Sequence, residues 1–284
     1  MARYDVTPYI KGATRAKLSK TDASRIPIPL PPLATQKQIA SVLEQADRLR
    51  KQAQQMESEL NQLAQSLFLE MFGDYRKKPE DRFVPLSVIA DVVSGVAKGS
   101  DLKGKQTRIV PYLRVANVQD GFLDLSEIKE IEATERDIEK YVLQPGDILM
   151  TEGGDFDKLG RGAMWSGQVK ECIHQNHIFR VRLSNAYEPK FFEYYLRSSK
   201  AKLYFLRCAK QTTNLASINM SQLKALPIPQ EDRNKQEQFV AALELIERQI
   251  QAAKSKGEHF EQVFQALLQR AFNGELTAPE RKAA

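Results

Sequence analysis

The sequence has almost no cysteine: two residues in 284, Cys172 and Cys208, with no CxxC pair. That excludes a disulfide-stapled scaffold and a zinc finger. No apolar run approaches the roughly 20 residues needed to cross a bilayer, and the opening MARYDVTPYIKG lacks the apolar stretch of a secretory signal. A cytoplasmic protein without a membrane segment is expected. Catalytic signatures are missing too. There is no G-x-S-x-G, no H-E-x-x-H and no N/D-P-P-aromatic tetrapeptide of an adenine methyltransferase, and the loop GGDFDKLGRG lacks the GK[ST] ending of a P-loop. Asp101-x-Lys103 and Glu127-x-Lys129 each resemble half of a metal-dependent nuclease site, without a convincing upstream acid. Cys172, His174 and His177 lie close together in CIHQNH, but the third histidine, His259, is far along the chain. The segment reads as a strand, and no metal site is expected. The chain is expected to be non-catalytic.

What the sequence does contain is a repeat of itself. Residues 12–74 align without a gap onto residues 212–274, with 14 of the 63 positions identical. Ile26-Pro27-Ile28-Pro29 recurs as Leu226-Pro227-Ile228-Pro229, Gln36 and Gln38 as Gln236 and Gln238, and Leu67 and Phe72 as Leu267 and Phe272. The two copies enclose one long, different segment. Such a design spaces something apart.

Each copy reads mainly as a long helix. After Pro31-Pro32, which cannot lie inside a helix, Thr35 and Gln38 stand in the relation of a capping box. Apolar residues then follow at Ile39, Val42, Ala46, Leu49, Ala53, Met56, Leu60, Leu63 and Leu67, in alternating steps of three and four, the pattern of a helix–helix seam. The second copy starts with Asn234 and Glu237 in the same capping relation. It continues through Phe239, Ala242, Ile246, Ala253, Phe260, Val263 and Leu267, interrupted by Gln249 and Lys256. Each helix should end at Gly73 or Gly274, after about 58 Å at 1.5 Å per residue. Stripes of this kind bury themselves against a partner, and a homodimer through the helices is expected.

Residues 75–233 switch to short apolar alternations and turn signals, as in VPLSVIADVVSG, RIVPYLRVANVQDG, YVLQPGDILMTEGG and HIFRVRLSNAYEP. They predict strands of a mixed α/β domain, with a helix at Phe191–Leu196. The organisation is therefore α+β: residues 1–33, then 34–74 as a first long helix, 75–233 as one globular domain, 234–274 as a second long helix, and 275–284 as a tail. The net charge of +6 and pI near 9.1 suit a polyanion only mildly, since 42 basic face 36 acidic residues. Base-reading and phosphate-holding side chains are present in the insert. Lys98, Lys103, Lys105 and Arg108 fall on a Gly-rich loop, Arg114 and Asn117 follow Tyr112, Lys158 and Arg161 lie in GGDFDKLGRG, and Arg180 and Arg182 alternate with Val181 and Leu183.

Together, PYLRVANVQDGFLDLSEIKEI (111–131), LQPGDILMTEGG (143–154), LGRGAMW (159–165), HQNHIFRVRL (174–183) and SINMSQLKALPIP (217–229) resemble the specificity subunit of type I restriction–modification enzymes. The resemblance implies a target recognition domain that enters the major groove of double-stranded DNA, using some of Lys98, Lys103, Arg108, Arg114, Asn117, Lys158, Arg161, Gln175 and Asn176. It implies long helices that pack antiparallel and dock methyltransferase subunits, and a restriction subunit where one is present. The chain itself then needs no cofactor, because S-adenosylmethionine belongs to the methyltransferase. The chain departs from the family pattern in carrying one recognition domain instead of two, since residues 1–33 match only the end of one and read as its remnant leading into the first helix. The expected function is to direct an adenine methyltransferase to a bipartite target. The alternative is a coiled-coil adaptor without DNA specificity.

Overall fold

The computed structural model describes residues 7–10, 17–26, 30–97, 99, 102, 104–154, 159–211 and 216–276. The repeat survives as structure. Helix α1 (Lys20–Ala23) is followed by α2 (Leu33–Phe72), and 200 residues later α7 (Met220–Lys224) is followed by α8 (Arg233–Phe272). Ser19 caps α1 by accepting from the Asp22 amide, and Asn219 caps α7 by accepting from the Gln222 amide. The two long helices are 40 residues each. They begin slightly ahead of the expected capping boxes, and other groups make the starting bonds. The side-chain Nε2 of Gln36 donates to Pro31 O and that of Gln236 to Glu231 O, while the Asp232 carboxylate accepts from the Lys235 backbone amide. Both helices stop where a glycine with φ of 74°, Gly73 or Gly274, becomes available to turn the chain.

Internal contacts divide the chain into two compact units, Met1–Leu63 with Ile246–Ala284, and Ala64–Leu245. In the first unit α2 and α8 run antiparallel. Arg50 bonds Glu261 at 2.9 Å and lies 5.1 Å from the Phe264 ring, and Ala53 faces Gly257. The seam is phased differently from the expected one. Ala46 and Ala53 are buried and Ile39 and Leu60 half-buried, but Val42, Leu49, Met56 and Leu63 are 37–53% exposed. The column 39-46-53-60 borders two possible seams. The helices use the one completed by Arg50, whose stem and guanidinium span Asp47, Glu261 and Phe264, leaving the other column open. On α8, Ala253 is buried, Ile246, Phe260 and Leu267 are half-buried and Val263 is exposed.

In the second unit the end of α2 and the start of α8 form an aromatic seat. Phe239 is fully buried, with Phe68, Phe72 and Tyr194 rings 5.4–5.6 Å away. Phe191 and Tyr194 belong to α5 (Pro189–Leu196) of the globular insert. Gln236 completes the seat by accepting from the Glu188 amide at 2.9 Å and donating to Ala186 O. The same positions of the repeat in the first unit are open. Phe72 is 2% exposed but Phe272 is 66%, and Ile39 and Leu268 are half-buried where Phe239 and Phe68 are buried. Among the described residues, Gln36 has no counterpart of the bonds to Ala186 and Glu188.

The insert is the expected mixed domain. Strands β2 (Ala90–Ser94), β9 (Ile178–Leu183), β5 (Ile148–Thr151) and β7 (Gly162–Met164) form an antiparallel sheet in that order. A second sheet has the order β4 (Lys129–Thr134), β3 (Thr107–Leu113), β8 (Ile173–His174), with β8 parallel to β3. A ribbon of β1 (Phe83–Pro85) and β12 (Pro227–Pro229) closes the domain at its two chain crossings. In VPLSVIADVVSG, the middle residues Leu86–Ile89 form a single helical turn, α3, instead of continuing the strand. All four residues of β5 are buried, because both faces of the sheet are covered. Leu113, Val118, Leu149, Trp165, Cys172 and Ile178 make one core cluster, and Val96, Val110, Tyr112, Ile138 and Ile173 another.

Candidate nucleic-acid interface

The turn between β8 and β9, Gln175-Asn176-His177, is where the irregular segments of the domain meet. Val96 lies parallel to Gln175, and the Asn176 amide donates to Val96 O. Gln175 donates its own amide to Leu113 O and accepts the Val115 amide on its side-chain oxygen. The Glu152 amide donates to His177 O, and the Ile218 amide to Glu152 O. Three further loops, following β2, β3 and β5, are thus tied to one three-residue turn.

The turn is locked from below. His174 is fully buried, and its Nδ1–H donates to Ile178 O at 3.1 Å, closing the turn across its base. Burial pushes the imidazole down to about 4, so the ring is neutral. Gly95 lies against it so closely that a Cβ there would sit 1.8 Å from His174 O, which no side chain permits. Cys172 is likewise a core residue, its thiol pushed up to about 12 by burial. Among the described residues no group of three His, Cys, Asp or Glu side chains is placed to hold a metal ion.

Of the nine side chains expected to meet DNA, Lys98, Lys103 and Lys158 lie outside the described residues. Gln175 and Asn176 lie on the converging turn, whereas Arg161 precedes β7, beside Thr151. Gln175 and Asn176 are half-buried, and Arg161, whose carbonyl accepts from the Thr151 amide, reaches Gln119 Oε1 at 3.4 Å. Arg108 stands apart, in ion pairs with Glu135 at 2.7 Å and Glu171 at 2.9 Å. Arg114 pairs with Glu127 at 2.9 Å, so both arginines enter any contact with phosphate already partnered.

Asn117 is a correction. Its side chain is buried and fully engaged inside the domain: it accepts the Arg114 amide at 2.8 Å and donates to Asp124 O and Glu127 O at 2.8 and 2.9 Å. It staples the loop after β3 and does not reach a base. Arg180 and Arg182 are also internal. Arg182 holds buried Asp147 through two bonds of 2.7 and 2.8 Å, and Arg180 pairs with Asp91 at 2.5 Å. Lys129 and Arg114 both pair with Glu127, so the Glu127-x-Lys129 triplet is an ion-pair cluster. Two polar side chains not among those expected stand nearby, Glu152 against the turn and Gln119 beside Arg161, and His177 pairs with Glu152 and not with a metal cluster. Glu152 Oε2 accepts from His177 Nδ1 at 2.6 Å, and Asn176 Nδ2 lies 3.5 Å from His177 Nε2.

Comparison with known proteins matches residues 4–62 and 84–259 to the type I restriction modification DNA specificity domain. The chain is 26% identical over 303 aligned positions to the specificity subunit of the EcoKI type I restriction enzyme of Escherichia coli K12, an alignment covering 98% of this chain and 64% of that one. It is 30% identical over 158 positions to the putative MjaX specificity subunit of Methanocaldococcus jannaschii, covering 55% of this chain and 37% of that one. The chain thus spans under two thirds of the length of these relatives. A solved structure described as the structural basis of complex assembly and conformational transition of the type I restriction–modification system has the same fold, with a TM-score of 0.61 and 20% identity over 93% of this chain and 66% of that one. A globular insert set between two copies of one long helix, with its loops gathered on a single polar turn, belongs to the type I restriction modification DNA specificity family.

Proposed function

We propose that this chain is a non-catalytic DNA-recognition subunit that directs an adenine methyltransferase, and a restriction subunit where one exists, to a bipartite target. The observation that carries the DNA reading is the convergence of loops on Gln175–His177, with Gln175 and Asn176, of the base-pairing kinds, half-buried on that turn. Binding at such a surface needs no metal or cofactor from this chain. The methyl donor, S-adenosylmethionine, would be held by the methyltransferase, which docks on the long helices, and the complex would work in the cytoplasm.

A bipartite target needs two recognition domains, and the open column of α2 supplies a way to bring a second copy. Val42, Leu49, Met56 and Leu63 recur every seven residues. Two such columns laid antiparallel are self-complementary: Val42 meets Leu63 and Leu49 meets Met56, an isologous contact. The two Phe72 helix ends would then stand roughly 60 Å apart, at about 1.5 Å per residue, which is more than one turn of DNA at ~34–36 Å. Such a dimer would read an interrupted inverted repeat. A second reading is favoured by the exposed Phe272, the repeat counterpart of buried Phe72: a different specificity chain supplies the second recognition domain there, giving an asymmetric target.

Affinity for duplex DNA as a function of salt tests the DNA reading. The purified chain should bind with a log K that falls steeply against log salt, by about 0.9 for each phosphate neutralised. Sedimentation of the same sample should give a species of twice 32.3 kDa, and L49E/M56E should return it to the monomer. A chain that shows no salt-dependent affinity for DNA is an adaptor. A wild-type sample that stays monomeric at micromolar concentration contradicts the symmetric dimer.

A further inference from the structure

One side chain at the converging turn has the wrong charge for a surface that meets phosphates. Glu152 lies between β5 and the short strand Gly153–Gly154, and its carboxylate is half-exposed beside Asn176 and His177. Its position is fixed at three points. The backbone amide donates to His177 O at 3.0 Å, the backbone carbonyl accepts from the Ile218 amide at 2.8 Å, and Oε2 accepts from His177 Nδ1 at 2.6 Å. A side chain held this way has little conformational freedom left to lose on binding. Among the described residues Oε1 has no hydrogen-bond donor, so the carboxylate retains accepting capacity.

A carboxylate near a DNA backbone is repelled by phosphate and can be satisfied there only by a donor. In the major groove, the donors are the exocyclic amino groups N4–H₂ of cytosine and N6–H₂ of adenine; guanine and thymine present acceptors at those edges. The carboxylate therefore rewards an amino-bearing base and penalises a keto base, which would face it with oxygen against oxygen. His177 contributes by orientation. Its Nδ1 faces the Glu152 carboxylate and its Nε2 the Asn176 side-chain Nδ2, linking Asn176, His177 and Glu152 in one chain of polar contacts.

We infer that Glu152 is a base-specificity residue, positioned by His177, that accepts a hydrogen bond from the exocyclic amino group of a cytosine or adenine in the target. The inference rests on the DNA reading proposed above. Selection of bound duplexes from a randomised pool, by the full chain and by its E152A, E152Q and H177A variants, tests it. The wild-type chain should enrich a motif in which one position is restricted to cytosine or adenine on one strand. E152A and E152Q should lose the restriction at that position alone, with discrimination there falling about 10- to 100-fold, while the other positions stay as they were. H177A should weaken the same position less. E152Q keeps the shape of the side chain, and the backbone bonds of residue 152 are untouched, so a folding defect would not be shared by both variants at 152. A wild-type motif left unchanged at every position by E152A and E152Q overturns the inference and leaves an ordinary surface ion pair. Uniform loss of enrichment at all positions by E152Q also overturns it. A wild-type chain that enriches no motif overturns the DNA reading, and this inference with it.

Discussion

Phe72 and Phe272 are the same residue at the same point of an internal repeat, and the structure gives them opposite surroundings. The Phe72 ring has the rings of Phe191, Phe68 and Phe239 at 4.8, 5.1 and 5.6 Å and is 2% exposed; Phe272 is 66% exposed. A buried phenylalanine removes roughly 150–250 Å² from water, worth ~4–6 kcal/mol at ~25 cal/mol per Å², and part of that stays with the alanine Cβ. Truncation leaves a cavity that neighbouring rings fill poorly, so F72A should cost about 3–5 kcal/mol. F272A removes a ring that is mostly in water already and should change stability by no more than ~0.5 kcal/mol. Urea unfolding of the two variants beside wild type, without DNA or partner and at low protein concentration, measures both values. Equal losses would refute the assignment of one filled and one open seat. A loss above ~2 kcal/mol for F272A would mean that its ring is covered in solution.

Two further outcomes follow from the machinery beneath the turn. N117A leaves the Arg114 amide and the carbonyls of Asp124 and Glu127 without their partner, and should cost about 2–4 kcal/mol; thermal unfolding with little change in Tm would show that the loop is not stapled. His174 is depressed to about 4 from 6.5, so the unfolded chain binds the extra proton between those values. Its contribution is complete above pH 6.5 and is lost as pH falls toward 4, amounting to roughly 2 kcal/mol at pH 5. H174Q should flatten that part of the stability–pH curve, and an unchanged slope in the variant would place the titration elsewhere.

The helices were readable because a 40-residue stretch with apolar steps of three and four allows one interpretation, and because the copies confirm each other. The phase of their seam was not readable. Ala46 and Ala53 border both possible seams, and the choice between them depends on Arg50 meeting Glu261, a partner 211 residues away. The strand–turn–strand plan of the insert was legible from its alternations, but the fate of its polar residues was not. Arg180 and Arg182 alternate with Val181 and Leu183 as a solvated face would. Their sheet is covered on both sides, and their acids, Asp91 and Asp147, come from strand β2 and the turn before β5. An asparagine has the same donors and acceptor whether it meets adenine or a loop backbone, so Asn117 could be assigned only from its surroundings. Glu152 is not legible as a surface residue of interest in TEGG, because what distinguishes it is the contact with His177, 25 residues away.

The proposed function has this chain select DNA sequence for a separate methyltransferase. Co-expression with an adenine methyltransferase subunit, purification of the complex and single-molecule mapping of methylated adenines on plasmid DNA test it most directly. Methylation confined to an interrupted inverted repeat is expected of the symmetric dimer, and an asymmetric interrupted motif would assign the second half-site to a different recognition domain. A complex that forms and methylates adenines without regard to sequence, or that never forms, would contradict the proposed function.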